Sequence, residues 1–329
     1  MIACYGEALV DLFVSPYSRD SLRTDSQACL GGSVFNFCLA AQRQGMNSLY
    51  LNALSTDSFG RQFAHLLQTE GVLIDAEACP EPTSIAVIQL DTQGKATYAF
   101  HRIGIADTAR SAAKIIANWR SEVTSLHTGC LMLMPDTWLQ TQQIVAHATQ
   151  GGCVVSVDAN LRPAVVADHP AYVACVQAAC AAAHVVKVSD DDLVTLGMLA
   201  PADMSDMHAV VRAAREMLSD ASTTRLVALT LGERGAWLLT QEHSVFEAAP
   251  SGVIVKDTVG AGDSFAAALL AHLQSQEMLT VARLEQGLAV EVLHAALLHA
   301  VAAAALCVQR TGCDPATWKE TADFVRRQQ

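Results

Sequence analysis

The sequence is poor in charge, and above all in positive charge. Charged residues make up 16% of the 329 residues, and 21 Lys and Arg stand against 33 Asp and Glu, so the formal net charge is −12. No run of Lys or Arg offsets this excess. Nucleic acids and anionic membranes attract proteins through clustered cations, so the composition argues against both as partners. Any bound phosphate would have to be held by local backbone amides and a few cations.

The signatures of several enzyme classes are missing as well. Gly94 and Lys95 are followed by Ala96, so the chain has no G-x-x-x-x-G-K-[ST] phosphate-binding loop. It also has no G-x-S-x-G nucleophile turn and no H-E-x-x-H zinc motif. The pair Gly31-Gly32 does not complete a G-x-G-x-x-G motif, which weakens the hypothesis of a nicotinamide-dependent oxidoreductase but leaves it open.

The chain has neither a paired-cysteine motif nor a secretion signal. Its 10 cysteines form no C-x-x-C pair and most lie in apolar runs, so we expect reduced thiols in the core. Residues 1–10 include Glu7 and no basic residue, unlike a signal peptide. The apolar stretch 295–308 is short for a bilayer and contains His299, so we expect a buried helix there. These features predict a cytoplasmic protein.

Short apolar runs alternate along the chain with alanine-rich runs of helical composition. The apolar runs are 2–5, 48–53, 125–128, 153–158, 185–188 and 226–231. The helical runs are 35–44, 59–70, 138–149, 171–183 and 207–218. Strands that are apolar throughout are typical of a parallel sheet covered on both faces. The order therefore predicts one α/β domain over 1–329, with a mostly parallel central sheet flanked by helices on both faces.

Two stretches alternate instead between polar and apolar residues. They are 10–14 and 84–102, the second with a turn near 92–94, and they have the pattern of exposed antiparallel strands. Tyr98, Phe100 and Arg102 share one face of the second stretch at a period of two. We expect a small β-lid that grows out of the main domain, inserted at about 10–30 and 84–105.

A glycine-rich turn at 257–263 has the pattern of an anion site. Gly260-Ala261-Gly262 precedes a helical run at 265–272, so the amides of a helix start converge there and stabilise negative charge. Asp263 lies in this turn, and the helix terminus should favour its ionised form, which predicts a permanently ionised, modest base. Alternatively, Asp263 only caps the helix and the glycines only make the turn.

Taken together, several segments resemble the PfkB family of carbohydrate kinases, which has the ribokinase-like fold. They are GGSVFN at 31–36, DANLRP at 158–163, KVSDDD at 187–192, TLGERGA at 230–236 and DTVGAGD at 257–263. The opening GEALVD at 6–11 is similar to that of bacterial fructokinases. The resemblance spans nearly the whole chain in the expected order. It implies that the protein is an ATP-dependent enzyme that phosphorylates a sugar hydroxyl.

The chemistry of phosphoryl transfer agrees with the roles that this resemblance implies. The acceptor must be aligned, its proton removed and the charge of the transferring group neutralised. Asp263 is then the base, while Gly260, Ala261 and Gly262 supply amide donors to the transferring group, and this anion hole should contribute more to the rate than the base does.

The resemblance also implies a sugar site. Its residues are Asp11, Gly32, Asn36, Phe100, Arg102 and Arg162. Asp11 and Asn36 suit bidentate hydrogen bonding of neighbouring hydroxyls, and Gly32 lets the backbone approach the ring. Taken singly, these residues have plainer explanations. Asn36 could cap a helix, Asp11 could end a strand, Arg162 could form a surface ion pair instead of clamping a phosphate, and the lid residues could belong to a plain two-stranded ribbon.

A nucleotide site is implied after the strand at 226–229. Thr230, Gly232 and Gly235 form a turn that admits phosphates and ribose, and Lys187 reaches a phosphate unless it is a surface lysine. The family commonly has Asn-x-x-Glu where this chain has Ser-Asp-Asp-Asp, so Asp192, one methylene shorter than Glu, is expected to contact Mg²⁺ through water. The implied cofactors are ATP and Mg²⁺. A K⁺ site at Asp257 and a homodimer are left open.

The residues that follow the Gly-Gly pair bear on the class of sugar. Family members that take phosphorylated sugars tend to carry cations there, whereas Ser33, Val34 and Phe35 are neutral. The resemblance therefore implies an unphosphorylated sugar, first of all the conversion of fructose to fructose 6-phosphate. Arg102 and Arg162 could instead hold the carboxylate of 2-keto-3-deoxygluconate, and ribose or a nucleoside stays open. A sugar-binding regulator without catalysis is the alternative outside enzymes.

Overall fold

The computed structural model describes residues 1–15, 24–90 and 96–328. Within them the chain forms thirteen strands and eleven α-helices. The strands are β1 Ile2–Tyr5, β2 Leu9–Val14, β3 Ser26–Gly31, β4 Ser48–Tyr50, β5 Leu73–Ile74, β6 Ser84–Leu90, β7 Ala96–His101, β8 Ser125–Gly129, β9 Val154–Asp158, β10 Val185–Ser189, β11 Leu226–Thr230, β12 Ala236–Leu239 and β13 Ser244–Glu247. The helices are α1 Ser33–Arg43, α2 Ser58–Thr69, α3 Ala112–Ala117, α4 Trp138–Gln150, α5 His169–Ala182, α6 Asp190–Thr195, α7 Met207–Arg215, α8 Ala261–Ser275, α9 Val281–Gln286, α10 Val290–Cys307 and α11 Trp318–Gln328.

The central sheet has nine strands in the order β13-β12-β11-β10-β9-β8-β1-β4-β5. The strands from β11 to β5 in this order pair in parallel, and β12 and β13 add an antiparallel edge. The prediction of a mostly parallel sheet between helices is thus confirmed. Parallel strands end at the same edge of a sheet, so the loops after β1, β8, β9, β10 and β11 gather on one side.

Both faces of this sheet are buried, as the mostly apolar strands predict. Along β1, Ala3 and Tyr5 belong to one hydrophobic cluster and Ile2 and Cys4 to the other. Helices α4, α5 and α7 cover the first face, and α1, α8 and α10 cover the second. Successive side chains of a strand point to opposite faces, so a strand between two helical layers is mostly apolar, and a polar residue on it, such as Lys187 on β10, needs a buried partner.

A second sheet of four strands, in the order β3-β2-β6-β7, contains the stretches predicted as a lid. β2 pairs antiparallel with β3 and β6 antiparallel with β7, but β2 and β6 run parallel. The prediction of antiparallel strands is therefore wrong for this central pair. Polar–apolar alternation indicates that one face of a strand is exposed, but it does not indicate in which direction a neighbouring strand runs. The chain returns to this sheet as β6 only after it has formed β4 and β5 of the central sheet. The predicted turn near 92–94 lies outside the described residues.

The apolar run at 295–308 forms the C-terminal part of helix α10, which begins earlier, at Val290. Its length and composition would suffice to cross a membrane, but it packs along α8 and contributes Leu293, Leu297 and Ala300 to the core. A buried core helix of a globular domain has the same apolar composition. All ten cysteines are free thiols, and six of them are buried.

Candidate active site

Two helix starts meet at the edge where the parallel strands end. Helix α1 follows Gly32 and helix α8 follows Gly260, and both glycines have positive φ, 110° and 76°. A left-handed residue turns the chain sharply into the helix, and glycine adopts this conformation without steric cost. Because α1 and α8 pack together, the first turn of one faces the first turn of the other.

Asp263 is held between these two helix starts. Its Oδ1 accepts a hydrogen bond from Ser33 Oγ at 2.7 Å, and its Oδ2 accepts one from Asn36 Nδ2 at 3.0 Å. Ser33 Oγ in turn accepts from Asn160 Nδ2 at 3.0 Å. The side chain of Asp263 therefore has one fixed orientation, which three residues from two distant segments set together.

The environment of Asp263 differs from the predicted one. Burial raises the pKa of its carboxyl, and the hydrogen bonds from Ser33 and Asn36 and the charges of Lys187 and Arg162 oppose this without cancelling it. The prediction that the helix start favours the ionised form of Asp263 is wrong, because in a residue only 7% exposed the desolvation of the carboxylate outweighs the stabilisation that the helix start provides. A raised pKa makes the carboxylate a better proton acceptor near neutral pH.

Glu7 is a site residue that the sequence analysis missed. It is fully buried after β1, and its Oε1 accepts from the backbone N–H of Ser33 at 2.8 Å, so it caps helix α1 from outside the helix. The pKa of Glu7 is raised to about 7, mainly by burial and also by the carboxyl of Asp107, while the charge of Arg102 and the N–H of Ser33 oppose the rise. The motif GEALVD contains Glu7, but a cap that comes from 26 residues away leaves no signal in local spacing.

Two of the predicted sugar residues, Asn36 and Arg102, and the carboxyls of Glu7 and Asp107 have buried polar atoms that lack a hydrogen-bond partner in the part of the chain that the structure describes. These atoms are Glu7 Oε2, Asn36 Oδ1, Arg102 Nε and Asp107 Oδ2. Buried polar groups are normally paired, so such a group of open donors and acceptors indicates where a polar ligand binds. Arg102 Nη1 also donates to Met134 Sδ at 2.8 Å, which brings the lid sheet onto the main domain.

Asp11 and Arg162 lie close enough to act on one another. The pKa of Asp11 is raised to about 6, mainly by burial and also by the charge of Asp257, while the positive charge of Arg162 opposes the rise. Arg162 is exposed, and its Nη1 donates to the carbonyl of Leu161 at 3.2 Å. Phe100 packs against the main hydrophobic cluster.

Lys187 is not the surface lysine of the plainer explanation. It is buried on β10, and its Nζ donates to both carboxylate oxygens of Asp158 at 3.0 Å. Burial alone would lower the pKa of Lys187, but Asp158 and Asp192 raise it, so the ammonium stays charged at neutral pH. A Cβ placed on Gly262 would lie 3.1 Å from Lys187 Nζ, which shows that the ammonium reaches the start of α8.

A cleft of about 1130 Å³ lies on the other side of this helix start. Thr230, Gly232 and Gly235 line it, as do Ala261 and Gly262 of α8. A nucleotide fits a cavity of this size, and a glycine-rich turn beside a helix start suits phosphates. The first turn of α8 therefore separates the cleft from Asp263 and the sugar residues. Lys187 lies on the Asp263 side of this turn, not among the residues that line the cleft.

The predicted metal residues are already engaged by the protein. Asp192 Oδ1 accepts from the N–H of Leu161, and its Oδ2 accepts from the N–H and hydroxyl of Ser189. Asp192 is thus the N3 residue of a capping box, and its neighbours Asp190 and Asp191 face the cleft instead. Among the described residues, no group of three or more His, Cys, Asp or Glu side chains is arranged to hold a metal ion.

Asp257 joins two loops at the start of α8. Its Oδ1 accepts from the N–H of Val259 at 3.0 Å and its Oδ2 from the N–H of Gly312 at 2.8 Å. A cation bound here would have to share these oxygens. Cys313, in the second loop, packs directly on Gly260, since a Cβ on Gly260 would lie 2.2 Å from Cys313 Sγ. The position of the helix start thus depends on the loop after α10.

Glu7 makes the stability of the protein depend on pH. Its pKa is about 7 in the folded protein, against an ordinary value of 4.5, so the folded state binds this proton more tightly than the unfolded state. The free energy of unfolding should therefore fall as pH rises from the lower value to the higher. Glu7→Gln keeps the acceptor for Ser33 but cannot ionise. We expect its melting temperature, relative to that of the parent, to be higher by about 2 °C or more at about pH 8 than at about pH 5.

The control for this measurement is Glu291→Gln, which changes an exposed carboxyl on α10. Thermal melting of the three proteins at both pH values compares them directly. If the difference between Glu7→Gln and the parent is the same at both pH values, Glu7 does not titrate as described.

Comparison with known proteins places this geometry in context. Residues 1–320 match the family described as pfkB family carbohydrate kinase. A fructokinase of Rhizobium leguminosarum bv. trifolii is 31% identical over 286 residues, which cover 85% of this chain and 82% of that protein. The crystal structure of a fructokinase with bound ATP from Xylella fastidiosa superimposes with a TM-score of 0.83 at 24% identity, over 99% of this chain and 98% of that one. A ribokinase II structure from E. coli in complex with ATP and Mg²⁺ has a TM-score of 0.78 at 21% identity, over 99% of both chains.

Proposed function

Because the chain belongs to the pfkB family of carbohydrate kinases, we propose that it phosphorylates fructose at a hydroxymethyl group with ATP, and that Asp263 is the base. The observation that carries the proposal is the first turn of α8. Ala261 and Gly262 line the cleft on one side, while Asp263 meets Ser33 and Asn36 on the other. An acceptor hydroxyl on Asp263 and a γ-phosphate in the cleft would meet across this turn.

The turn supplies what the transfer requires. Amides at a helix start have no carbonyl partner one turn earlier, so those of Gly262 and Asp263 are placed to stabilise the transferring phosphoryl group. The N–H of Ala261, which we also expected to donate to this group, donates instead to the carbonyl of Thr258 at 3.3 Å. The Lys187 ammonium lies beside them, held by Asp158, and adds a fixed positive charge. Asp263 accepts the proton of the attacking hydroxyl. Alignment and charge stabilisation account for most of the catalysis of phosphoryl transfer.

The sugar would occupy the space beside Glu7. Asn36 Oδ1, Glu7 Oε2 and Asp107 Oδ2 are buried acceptors without a partner in the described chain, and the hydroxyls of a sugar are donors. Asp11 adds a carboxylate from β2, and Gly32 lies where a side chain would meet the carbonyl of Glu7. With Phe100 and Arg102, the four-stranded sheet would close over the sugar and exclude water.

An uncharged substrate suits this site best. The carboxyls of Glu7, Asp11 and Asp107 lie near the sugar position and would repel a phosphate group. One observation favours a second candidate. Arg102 Nε is buried without a partner in the described residues, and a guanidinium of this kind could bind the carboxylate of 2-keto-3-deoxygluconate. Fructose remains our first choice because the carboxyls outnumber the arginines there.

For the cofactors, the residues fit ATP better than they fit a directly bound metal. The cleft has the size and the glycine turn that a nucleotide needs, whereas the oxygens of Asp192 are taken by protein donors. Mg²⁺ carried by the phosphates would neutralise their charge and contact Asp191 or Asp192 only through water. A K⁺ site near Asp257 and a cytoplasmic location stay predictions.

The test is ADP release with ATP and Mg²⁺ against a panel of acceptors. The panel contains fructose, fructose 6-phosphate, 2-keto-3-deoxygluconate and ribose. We expect fructose to have the highest kcat/KM and fructose 6-phosphate to be poorer by about tenfold or more, which corresponds to about 1.4 kcal/mol of discrimination. If the sugar acid leads by a similar factor, it replaces fructose as the substrate. If no acceptor raises ADP release above that of ATP alone, the proposed reaction is wrong.

A further inference from the structure

The hydroxyl of Ser33 occupies the place on Asp263 that an acceptor hydroxyl needs. Ser33 Oγ donates to Asp263 Oδ1 at 2.7 Å, and Asn36 fills Oδ2. A sugar must present the same group, a hydroxyl whose proton points at a carboxylate oxygen. In this structure the base is therefore already engaged by a hydroxyl of the protein itself.

Two hydrogen bonds and burial hold Ser33 in this position and keep its hydroxyl unreactive. Its backbone N–H donates to Glu7 Oε1 at 2.8 Å, so the start of α1 is fixed. Asn160 Nδ2 donates to the hydroxyl oxygen at 3.0 Å, which engages one of its lone pairs and weakens it as a nucleophile. Ser33 is also buried at the foot of α1. Its hydroxyl can leave Asp263 only by rotation about the Cα–Cβ bond.

We propose that Ser33 shields Asp263 from water until the sugar arrives, and that the sugar hydroxyl then takes its place. This rests on the proposed role of Asp263 as base. Without the shield, a water on Asp263 would give its proton to the carboxylate while its oxygen bonds to the γ-phosphorus. The bond from that phosphorus to the bridging oxygen of ADP would break, and ATP would be lost as ADP and inorganic phosphate. Ser33 is thus a positioning residue that favours transfer to sugar over hydrolysis.

The experiment measures ADP release in the absence of any sugar. Ser33→Ala leaves room for a water on Asp263, so we expect sugar-independent hydrolysis to rise roughly tenfold, the scale of one hydrogen bond to a charged group. Ser48→Ala is the control, because that buried hydroxyl donates only to the carbonyl of Met46. The double variant Ser33→Ala/Asp263→Asn should return hydrolysis to the parent level, which shows that the water reacts through the base.

A second measurement distinguishes a Ser33 that the sugar displaces from a Ser33 that stays hydrogen-bonded to Asp263 throughout the reaction. Ser33 helps to lower the pKa of Asp263 in the free protein. The pH profile of kcat/KM reports the pKa of Asp263 in the free protein, and that of kcat reports it in the complex with sugar. If sugar displaces Ser33, Ser33→Ala should therefore move the acid limb of the kcat/KM profile to higher pH by up to about one unit and leave the acid limb of the kcat profile unchanged. The other titratable groups that act on or with Asp263 are common to parent and variant; they are Lys187, Arg162, Asp158, Cys130, Cys307 and Cys313.

The outcomes are distinct. Unchanged sugar-independent hydrolysis in a folded Ser33→Ala protein overturns the shield, as does an equal shift of both acid limbs. Should Ser33→Ala fail to fold, Asn160→Gly releases the serine instead and suits the positive φ of 35° at that position, and it should raise hydrolysis in the same way. If Asp263→Asn by itself keeps full turnover with sugar, the base assignment fails. If it loses turnover while Ser33→Ala behaves like the parent, only the shield fails.

Discussion

Asp263→Asn is expected to lower kcat by about a hundredfold or more, the scale of a lost general base, while the protein stays folded. Asparagine has the shape of aspartate, and after rotation of its amide it can still accept from Asn36 Nδ2 and donate to Ser33 Oγ, whose second lone pair is open. It cannot take a proton from an acceptor hydroxyl. The chemical step should therefore suffer while the packing of α1 against α8 does not.

The measurement is steady-state turnover with ATP and the best sugar, together with a thermal melt. Asp168→Asn is the matched control, since Asp168 is also an aspartate at a helix start, caps α5 through the N–H of Ala171, and lies outside the site. Asparagine caps a helix as well as aspartate does, so this control should keep parent activity. Turnover of Asp263→Asn within about threefold of the parent would mean that no proton needs to be taken by this carboxyl.

The second large effect is expected at Gly260. Gly260→Ala places a Cβ 2.2 Å from Cys313 Sγ and 2.7 Å from its Cβ, and it does so at a φ of 76°. The start of α8 must shift away from the loop after α10, and Asp263 and the amides shift with it. Displacements of about 1 Å at reacting groups can cost about a hundredfold in rate, and we expect a loss of that order in kcat/KM.

Gly152→Ala provides the control for backbone conformation. Gly152 has a φ of 75°, and a Cβ there would meet no atom within 4 Å. Both substitutions therefore carry the cost of a left-handed alanine, about 1 kcal/mol, but only Gly260→Ala carries the clash. We expect Gly152→Ala to be slightly less stable and fully active. Cys313→Gly should restore part of the activity of Gly260→Ala, and no restoration would mean that the contact with Cys313 is not the cause.

The sequence by itself determined the parts of this protein that depend on neighbouring residues. Strands that are apolar throughout, such as 226–229, indicated a sheet covered on both faces, because a polar side chain there would be buried and would need a partner. The glycines before Asp263 indicated a sharp helix start, because few other residues accept a left-handed conformation. The same local logic brought Thr230, Gly232 and Gly235 to one loop, and they all line the cleft.

Only the tertiary structure decided how strongly Asp263 is a base. Its partners Ser33 and Asn36 lie 230 and 227 residues away in the chain, and its burial comes from the contact between α1 and α8. Desolvation is a property of the whole environment, so local sequence predicted a lowered pKa where the folded protein raises it. Glu7 was missed for the same reason, since its cap on Ser33 exists only after β1 and α1 meet. The parallel pairing of β2 with β6 likewise follows from the route of the chain between them, and the alternation of residues within one strand gives no information on that route.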